Sequence, residues 1–166
     1  MNVIAAVDCN WGIGYKGSLL VHIPDDLHRF QTMTMGGILL LGRKTLESFP
    51  NGKPLPGRRN LILSRQKDFR VQEGEVFCNL KDMVAAVSGE ESEHVFVVGG
   101  ESVYRQLLPY CRYAYLTRIS KSFPADTYFP DIASLPQWHL LEESPVYHWK
   151  DMEYMYQKYE NRNCES

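Results

Sequence analysis

The chain has 166 residues, of which 44% are hydrophobic and 23% charged, with a net charge of −2. These values fit one soluble globular domain with a substantial core, and they leave no overall positive field to attract nucleic acid or an acidic membrane. Four cysteines without a C-x-x-C pair, and five histidines without metal-ligand spacing, argue against a zinc centre or a disulfide framework.

Val3–Val7 reads as a buried strand, too short and without the basic leader of a signal peptide core. The apolar run Ile38–Leu41 is far too short to cross a bilayer, so a cytoplasmic location is the default. Asn10–His22 is Gly-rich and reads as a long loop, of the kind that tends to be functional in a compact domain. Within it, Gly12-Ile13-Gly14-Tyr15-Lys16-Gly17 matches G-x-G-x-x-G literally. The dinucleotide-binding fingerprint must directly follow a strand and open a helix, and Asp8–Trp11 and Ser18–His22 break that context.

Pro24–Thr34 reads as a helix with Pro24 in its first turn, where the missing N–H costs nothing. At ~100° per residue, Ile23, Leu27, Phe30 and Met33 share one face. Asp26 falls in the middle of that face and Asp25 points away. A carboxylate on an apolar stripe is costly to bury and tends towards a raised pKa, as in a proton donor or ligand anchor. The bland alternative is that both acids serve the positive helix N-terminus.

Strand Ile38–Leu41, a short helix from Arg43 and a turn over 51–57 follow. Then come strands Asn60–Ser64 and Val76–Cys78, a helix near Leu80–Val87, strand Val95–Val98, helix Glu101–Leu108 and strand Tyr113–Ile119. Cys78 and Cys111 are expected as buried thiols. Continuous Val/Ile/Leu runs mark a parallel sheet covered on both faces. His139–Tyr147 and Met152–Tyr159 look like two long strands with no helix between them. The expected fold is a single α/β domain over 1–166: a mostly parallel central sheet flanked by helices, with a C-terminal antiparallel β-hairpin at the edge.

Two strand ends carry cations. Gly42-Arg43-Lys44-Thr45 ends a strand and opens a helix, which suits phosphate, although a solvated basic turn has the same pattern. Ser64-Arg65 ends the next strand. If both ends share one sheet edge, three cations converge, enough for a 2′-phosphorylated nicotinamide dinucleotide. Gly99-Gly100 ends a third strand, either to let backbone approach a ligand or simply to make a tight turn. No nucleophile constellation stands out, so an acid beside phosphate-binding turns suggests protonation coupled to cofactor redox chemistry.

In order along the chain stand Ile4-Ala5-Ala6, Gly12-Ile13-Gly14, Leu19, Ile23-Pro24-x-Asp26-Leu27, Phe30, Gly42-Arg43-Lys44-Thr45 and Ser48. Leu55-Pro56-Gly57-Arg58, Asn60, Leu63-Ser64, Gly99-Gly100, Tyr104, Tyr115-Leu116-Thr117 and Asp126-Thr127-x-Phe129-Pro130 follow. This ordered set resembles the bacterial, monofunctional dihydrofolate reductases over nearly the whole length. The resemblance implies NADPH-dependent reduction of 7,8-dihydrofolate to tetrahydrofolate, binding of antifolate-type inhibitors, and a monomer.

It also implies roles. Asp26 would hold the pteridine ring and support protonation, with Thr117 steadying the carboxylate and Leu19 on the closing loop. Ala5, Ala6, Leu27, Phe30, Phe49, Leu55, Val98 and Tyr104 would line the substrate pocket, and Arg58 would pair with the α-carboxylate of the glutamate tail. NADPH would contact Ala6, Ile13, Gly14, Gly17, Leu19 and Gly42, with Arg43, Lys44, Thr45, Leu63, Ser64 and Arg65 near its phosphates. Val98, Gly99, Gly100, Glu101, Ser102, Val103, Tyr104 and Thr127 would complete that site.

The chain departs from the family in three places. Leu20-Val21 replaces the usual Pro-Trp, so no indole N–H holds a water near the acid. The connection Ser48–Lys53 is longer, and Ser102 stands where a cation is common. A pterin or pyrimidine reductase of the riboflavin-pathway kind, and a weakly catalytic folate- or NADPH-binding module, are the rival readings.

Overall fold

The computed structural model describes residues 1–165. Its strands are β1 Asn2–Val7, β2 Gly12–Tyr15, β3 Ser18–Leu19, β4 Ile38–Gly42, β5 Arg59–Leu63 and β6 Glu75–Phe77, then β7 Val95–Gly99, β8 Tyr113–Ile119, β9 Thr127–Tyr128, β10 Trp138–Glu143, β11 Tyr147–Trp149 and β12 Met152–Asn161. Four helices intervene: α1 Pro24–Thr34, α2 Arg43–Glu47, α3 Leu80–Ala85 and α4 Glu101–Leu107.

Alternation along each central strand sends successive side chains to opposite faces. Val3, Leu40, Leu61 and Val97 join one core cluster, with Met83 of α3 and Val103 and Leu107 of α4. Their neighbours Ile4, Leu39, Leu41, Ile62 and Phe96 form the other, against which Phe30 and Met33 of α1 pack with Phe49 and Leu55. Both faces are covered, which is why these strands are apolar throughout.

The main sheet runs β10-β12-β8-β1-β7-β4-β5-β6, with β11 paired to β12. Strands β8, β1, β7, β4, β5 and β6 are mutually parallel where they pair, and β12 is antiparallel to β8, β10 and β11. Leu41 lies opposite Gly99, and Gly42 opposite Leu63. The carboxyl ends of β4, β5 and β7 therefore share one edge, as the convergence of their cations requires.

Three expectations need correction. The Asn10–His22 loop contains β2 and β3, which form a second antiparallel sheet with β9. Lys16 and Gly17, at φ of 50° and 80°, make the tight turn between them. The two long C-terminal strands are three. Ser144 and Pro145 interrupt the first, and Ser144 seals the break by donating its N–H to the Tyr156 carbonyl (2.9 Å) and accepting the Tyr156 N–H on Oγ (2.8 Å). The long strand β12 then lies inside the sheet, and β10 forms the edge. Cys111 is buried, but Cys78 is exposed, because it falls just past β6, the strand at the opposite edge of the sheet.

Asp8 holds the first loop in place. Its buried carboxylate accepts the N–H of Asn10 (2.9 Å) and Gly12 (2.8 Å) on Oδ1, and that of Phe123 (3.0 Å) on Oδ2. Asp8→Asn would set an amide N–H₂ against one of those donors. A buried donor left without an acceptor costs about 1–3 kcal/mol, so urea unfolding of Asp8→Asn is expected to show a loss of that order.

Candidate active site

Asp26 sits in the first turn of α1, where Pro24 opens the helix and Ile23 is buried beneath it. Thr117 projects from β8, in register with Ala6 of β1 on one side and Tyr156 of β12 on the other. Its hydroxyl donates to Asp26 Oδ1 at 2.5 Å. Burial raises the Asp26 carboxyl above the ordinary carboxylate range, partly opposed by the Thr117 hydrogen bond and by the positive charge of Arg29. Asp25 is exposed, as its place on the helix wheel suggests. The apolar face around Asp26 is less covered than the wheel implies. Ile23 is buried, Phe30 and Met33 are half-buried, and Leu27 is 42% exposed.

From the Ala6 end of β1 a groove of about 710 Å³ runs along the carboxyl edge of the sheet. Its near end is walled by Ala6, Ile13, Gly14, Gly17 and Leu19, with Thr127 of β9 opposite. Its middle is Val98, Gly99, Gly100 and the start of α4, from Glu101 to Tyr104. Its far end is Gly42, Arg43, Lys44 and Thr45 on one strand end, and Leu63, Ser64 and Arg65 on the next.

Several glycines are required by close packing there. A Cβ on Gly14 would lie 2.7 Å from Thr127 Oγ1, and one on Gly99, at φ 118°, would lie 3.2 Å from the Tyr104 ring. Tyr104 is fixed by its hydroxyl, which donates to the Ile4 carbonyl at 2.8 Å, and by an edge-on contact with Phe129. Burial pushes its phenol well above the usual range, so it stays neutral.

The cations differ in availability. Arg43 pairs with Glu47 one turn on, at 2.5 Å. Lys44 and Arg65 have no ion pair among the described residues. Glu101 spends its carboxylate on the Tyr128 N–H (2.9 Å) and on Arg105 (3.8 Å). What it can offer the groove is backbone.

Ala5, Leu27, Phe30, Phe49, Leu55 and Arg58 lie outside this groove, as do Asp26 and Thr117. Phe30, Phe49 and Leu55 are instead part of the partly buried fringe of the core cluster under α1, which Val98 joins from the groove side. Arg58 donates to the Pro56 carbonyl (3.0 Å) and to Thr34 Oγ1 (3.3 Å) at the end of α1. It meets no carboxylate among the described residues, and partial burial pulls its guanidinium below the usual range. It is a cation still lacking an anion.

The groove also takes in Tyr15, Ser18, Ser48, Gln66, Cys78, Asn79, Leu80, Gln106 and Asp126, none of which sequence reasoning assigned to the site. Cys78–Leu80 follow β6, a fourth strand end on the same edge, and that position was the available signal. Val21 packs with Ile23, Ile119, Met152 and Tyr154, beside a small cavity of about 10 Å³ that Asp8 and Leu20 also line.

The family model described as dihydrofolate reductase matches residues 1–161. The chain is 34% identical over 165 residues to the dihydrofolate reductase of Bacillus subtilis strain 168, covering 98% of this chain and 95% of that one. It is 37% identical over 144 residues to the type 3 dihydrofolate reductase of Salmonella typhimurium, covering 87% and 86%. Among solved structures, Enterococcus faecalis dihydrofolate reductase complexed with NADP(H) and RAB-propyl superposes with a TM-score of 0.84 at 29% identity, covering 96% of this chain and 94% of that one.

Proposed function

The chain belongs to the dihydrofolate reductase family, and on that premise we propose how its residues carry NADPH-dependent reduction of 7,8-dihydrofolate to 5,6,7,8-tetrahydrofolate. The carrying observation is the Asp26–Thr117 pair, with Thr117 in register beside Ala6 at the near end of a groove that ends in cations.

The groove fits NADPH in its donor set and its shape. Lys44, Arg65 and Arg43 offer charge for phosphate, and Thr45 and Ser64 offer hydroxyls. Gly100 leaves room beside Thr45 Oγ1, since a Cβ there would lie 3.3 Å from it. Bound NADPH supplies the hydride. Ala6, Ile13, Gly14 and Leu19 cover the end of the groove nearest Asp26 and exclude water there.

Asp26 accepts hydrogen bonds from the ring N–H and 2-amino group of the pterin, a fork that one carboxylate can satisfy with both oxygens. So placed, it supports arrival of a proton at N5 while hydride reaches C6. Its raised carboxyl pKa suits it to hold a proton nearer neutrality than an exposed aspartate does. Leu27, Phe30, Phe49 and Leu55 give the aryl group an apolar wall, and the small side chains of Ala5 and Ala6 leave space for the ring. Arg58 takes the α-carboxylate of the glutamate tail, which supplies the anion its own surroundings lack. That pairing favours a folate over a pterin or pyrimidine without a tail. Val21, packed with Ile23 and Ile119, offers no side-chain hydrogen-bond donor. One chain supplies the whole site, and all four cysteines are free thiols, which supports a cytoplasmic monomer.

Asp26→Asn keeps an acceptor for Thr117 and is expected to fold. General acid–base assistance is typically worth about 10²–10⁴-fold, and dihydrofolate turnover at neutral pH should fall by that order. Wild-type-like turnover would remove Asp26 from the mechanism.

Arg65 should read the 2′-phosphate more than Arg43, whose charge is shared with Glu47. Hydrogen bonds to charged groups contribute about 1.5–3 kcal/mol, or roughly 10- to 150-fold. Arg65→Ala is expected to raise the KM for NADPH by that order and leave the KM for NADH nearly unchanged. Equal effects on the two cofactors would count against the assignment.

A further inference from the structure

A cation, Arg29, stands near the Asp26–Thr117 pair without touching the substrate or cofactor positions proposed for this site. Arg29 is one helical turn on from Asp26, so the two side chains leave α1 as neighbours. Its guanidinium carbon lies over the Tyr156 ring, 4.0 Å from the ring centre. Tyr156 stands directly opposite Thr117 in the β8–β12 register. The guanidinium is thus held from the sheet side by the cross-strand neighbour of the residue that binds Asp26. It has no salt-bridge partner among the described residues, not even Asp26 itself within 4.0 Å.

We propose that Arg29 is a positioning residue for the reaction: clamped on Tyr156, it supplies the fixed positive charge that the Asp26 carboxyl faces from outside the substrate cleft. The inference rests on the reading of Asp26 given above.

Substrate entry changes the balance of charge around Asp26. A closing cleft loses water, and the penalty for a charged carboxylate grows. Thr117 offsets it with one hydrogen bond. A second carboxylate partner in direct contact would form a closed ion pair and compete with the pterin for the acid's oxygens. A guanidinium held at a distance leaves both oxygens free for substrate, while its field strengthens as water leaves. Stacking on the aromatic face fixes that distance, because the planar guanidinium sits on the ring without needing a carboxylate.

The other groups around Asp26 do not provide this charge. Tyr156 is pushed up to about 12, chiefly by burial and then by Asp26 itself, and stays neutral. Tyr154 is raised too, by burial and by Asp25, and Tyr147 packs on both of these tyrosines. Asp25, on the same helix, carries negative charge. Among these surrounding groups Arg29 is the cation.

The test is titration of the Asp26 carboxyl by carbon-13 NMR, assigned by its loss in Asp26→Asn, alongside the pH profile of hydride transfer. Arg29→Gln should move the carboxyl midpoint to higher pH. Arg29→Lys, which restores the charge, should return it towards wild type. Tyr156→Phe keeps the stacking ring and should leave it in place. An unmoved midpoint in Arg29→Gln overturns the inference, and so does a Lys variant that shifts as far as Gln. If the protonated acid is the active form, the decline of the rate with rising pH should move upward with the midpoint. A midpoint that moves while the rate profile does not would sustain Arg29's action on Asp26 and overturn Asp26 as the acid. Should Arg29→Gln fold poorly, Tyr156→Leu removes the platform instead and should move the midpoint in the same direction.

Discussion

One hydrogen bond organises this molecule: Thr117 of β8 to Asp26 of α1, across 91 residues of sequence. It places a carboxylate on the apolar side of α1 and gives it a single direct side-chain partner. Burial raises the cost of its charge, Thr117 and the charge of Arg29 offset part of it, and the fold tolerates the remainder at this one point. Pro24 sets the start of the helix, Ile23 anchors it, and the β1–β8 register puts Thr117 beside Ala6 at the mouth of the groove. Shifting the β8 register by one residue would turn Thr117 to the opposite face of the sheet and leave Asp26 without its donor.

The second constraint is the parallel sheet. Parallel pairing of β7, β4, β5 and β6 brings four strand ends to one edge, and ligands in open α/β sheets bind outside such carboxyl ends. The proposed acid and the cationic turns are thereby carried by different elements of one scaffold. The acid lies under α1, and the cations lie at the turns after β4 and β5. The small β2–β3–β9 sheet closes the join between them, held by Asp8 on one side and by the hydrogen bond from the Lys16 N–H to Asp126 on the other.

Much of this was legible in the sequence because it is local. The α1 boundaries follow from Pro24 and the helical period, and β8 from its own apolar run. The groove residues follow from strand ends that carry glycines and cations, all of which line one cavity. What was missed depends on contacts distant in sequence. Asp8 reads as the polar end of a strand until Phe123 is seen to share it. The Gly-rich loop reads as irregular because β2 gains its strand character only from β3 and β9. The Ser144–Pro145 break is hidden by the apolar residues on either side, since its hydrogen bonds go to Tyr156. Arg29 looks like a solvated helix cation, and only the cross-strand neighbour of Thr117 gives it a place. The pairing of Arg43 with Glu47 was written in an i, i+4 spacing, and it lowers the share of phosphate binding this residue can carry alone.

The Asp26 carboxylate is held in the fold at a cost to stability. Its pKa in the folded protein is raised above the unfolded value. The protonated form is therefore favoured by folding: the contribution is fully present below the unfolded pKa and is lost as pH rises through the folded one. The direct test is the unfolding free energy of wild type and Asp26→Asn by urea, measured from acid to neutral pH without ligand. The difference between the two proteins should change with pH, with the Asn variant gaining on wild type as pH rises through the folded pKa of Asp26 and the gain levelling off above it. A difference that stays constant across the range, or that moves in favour of wild type as pH rises, would show that folding does not raise the Asp26 pKa.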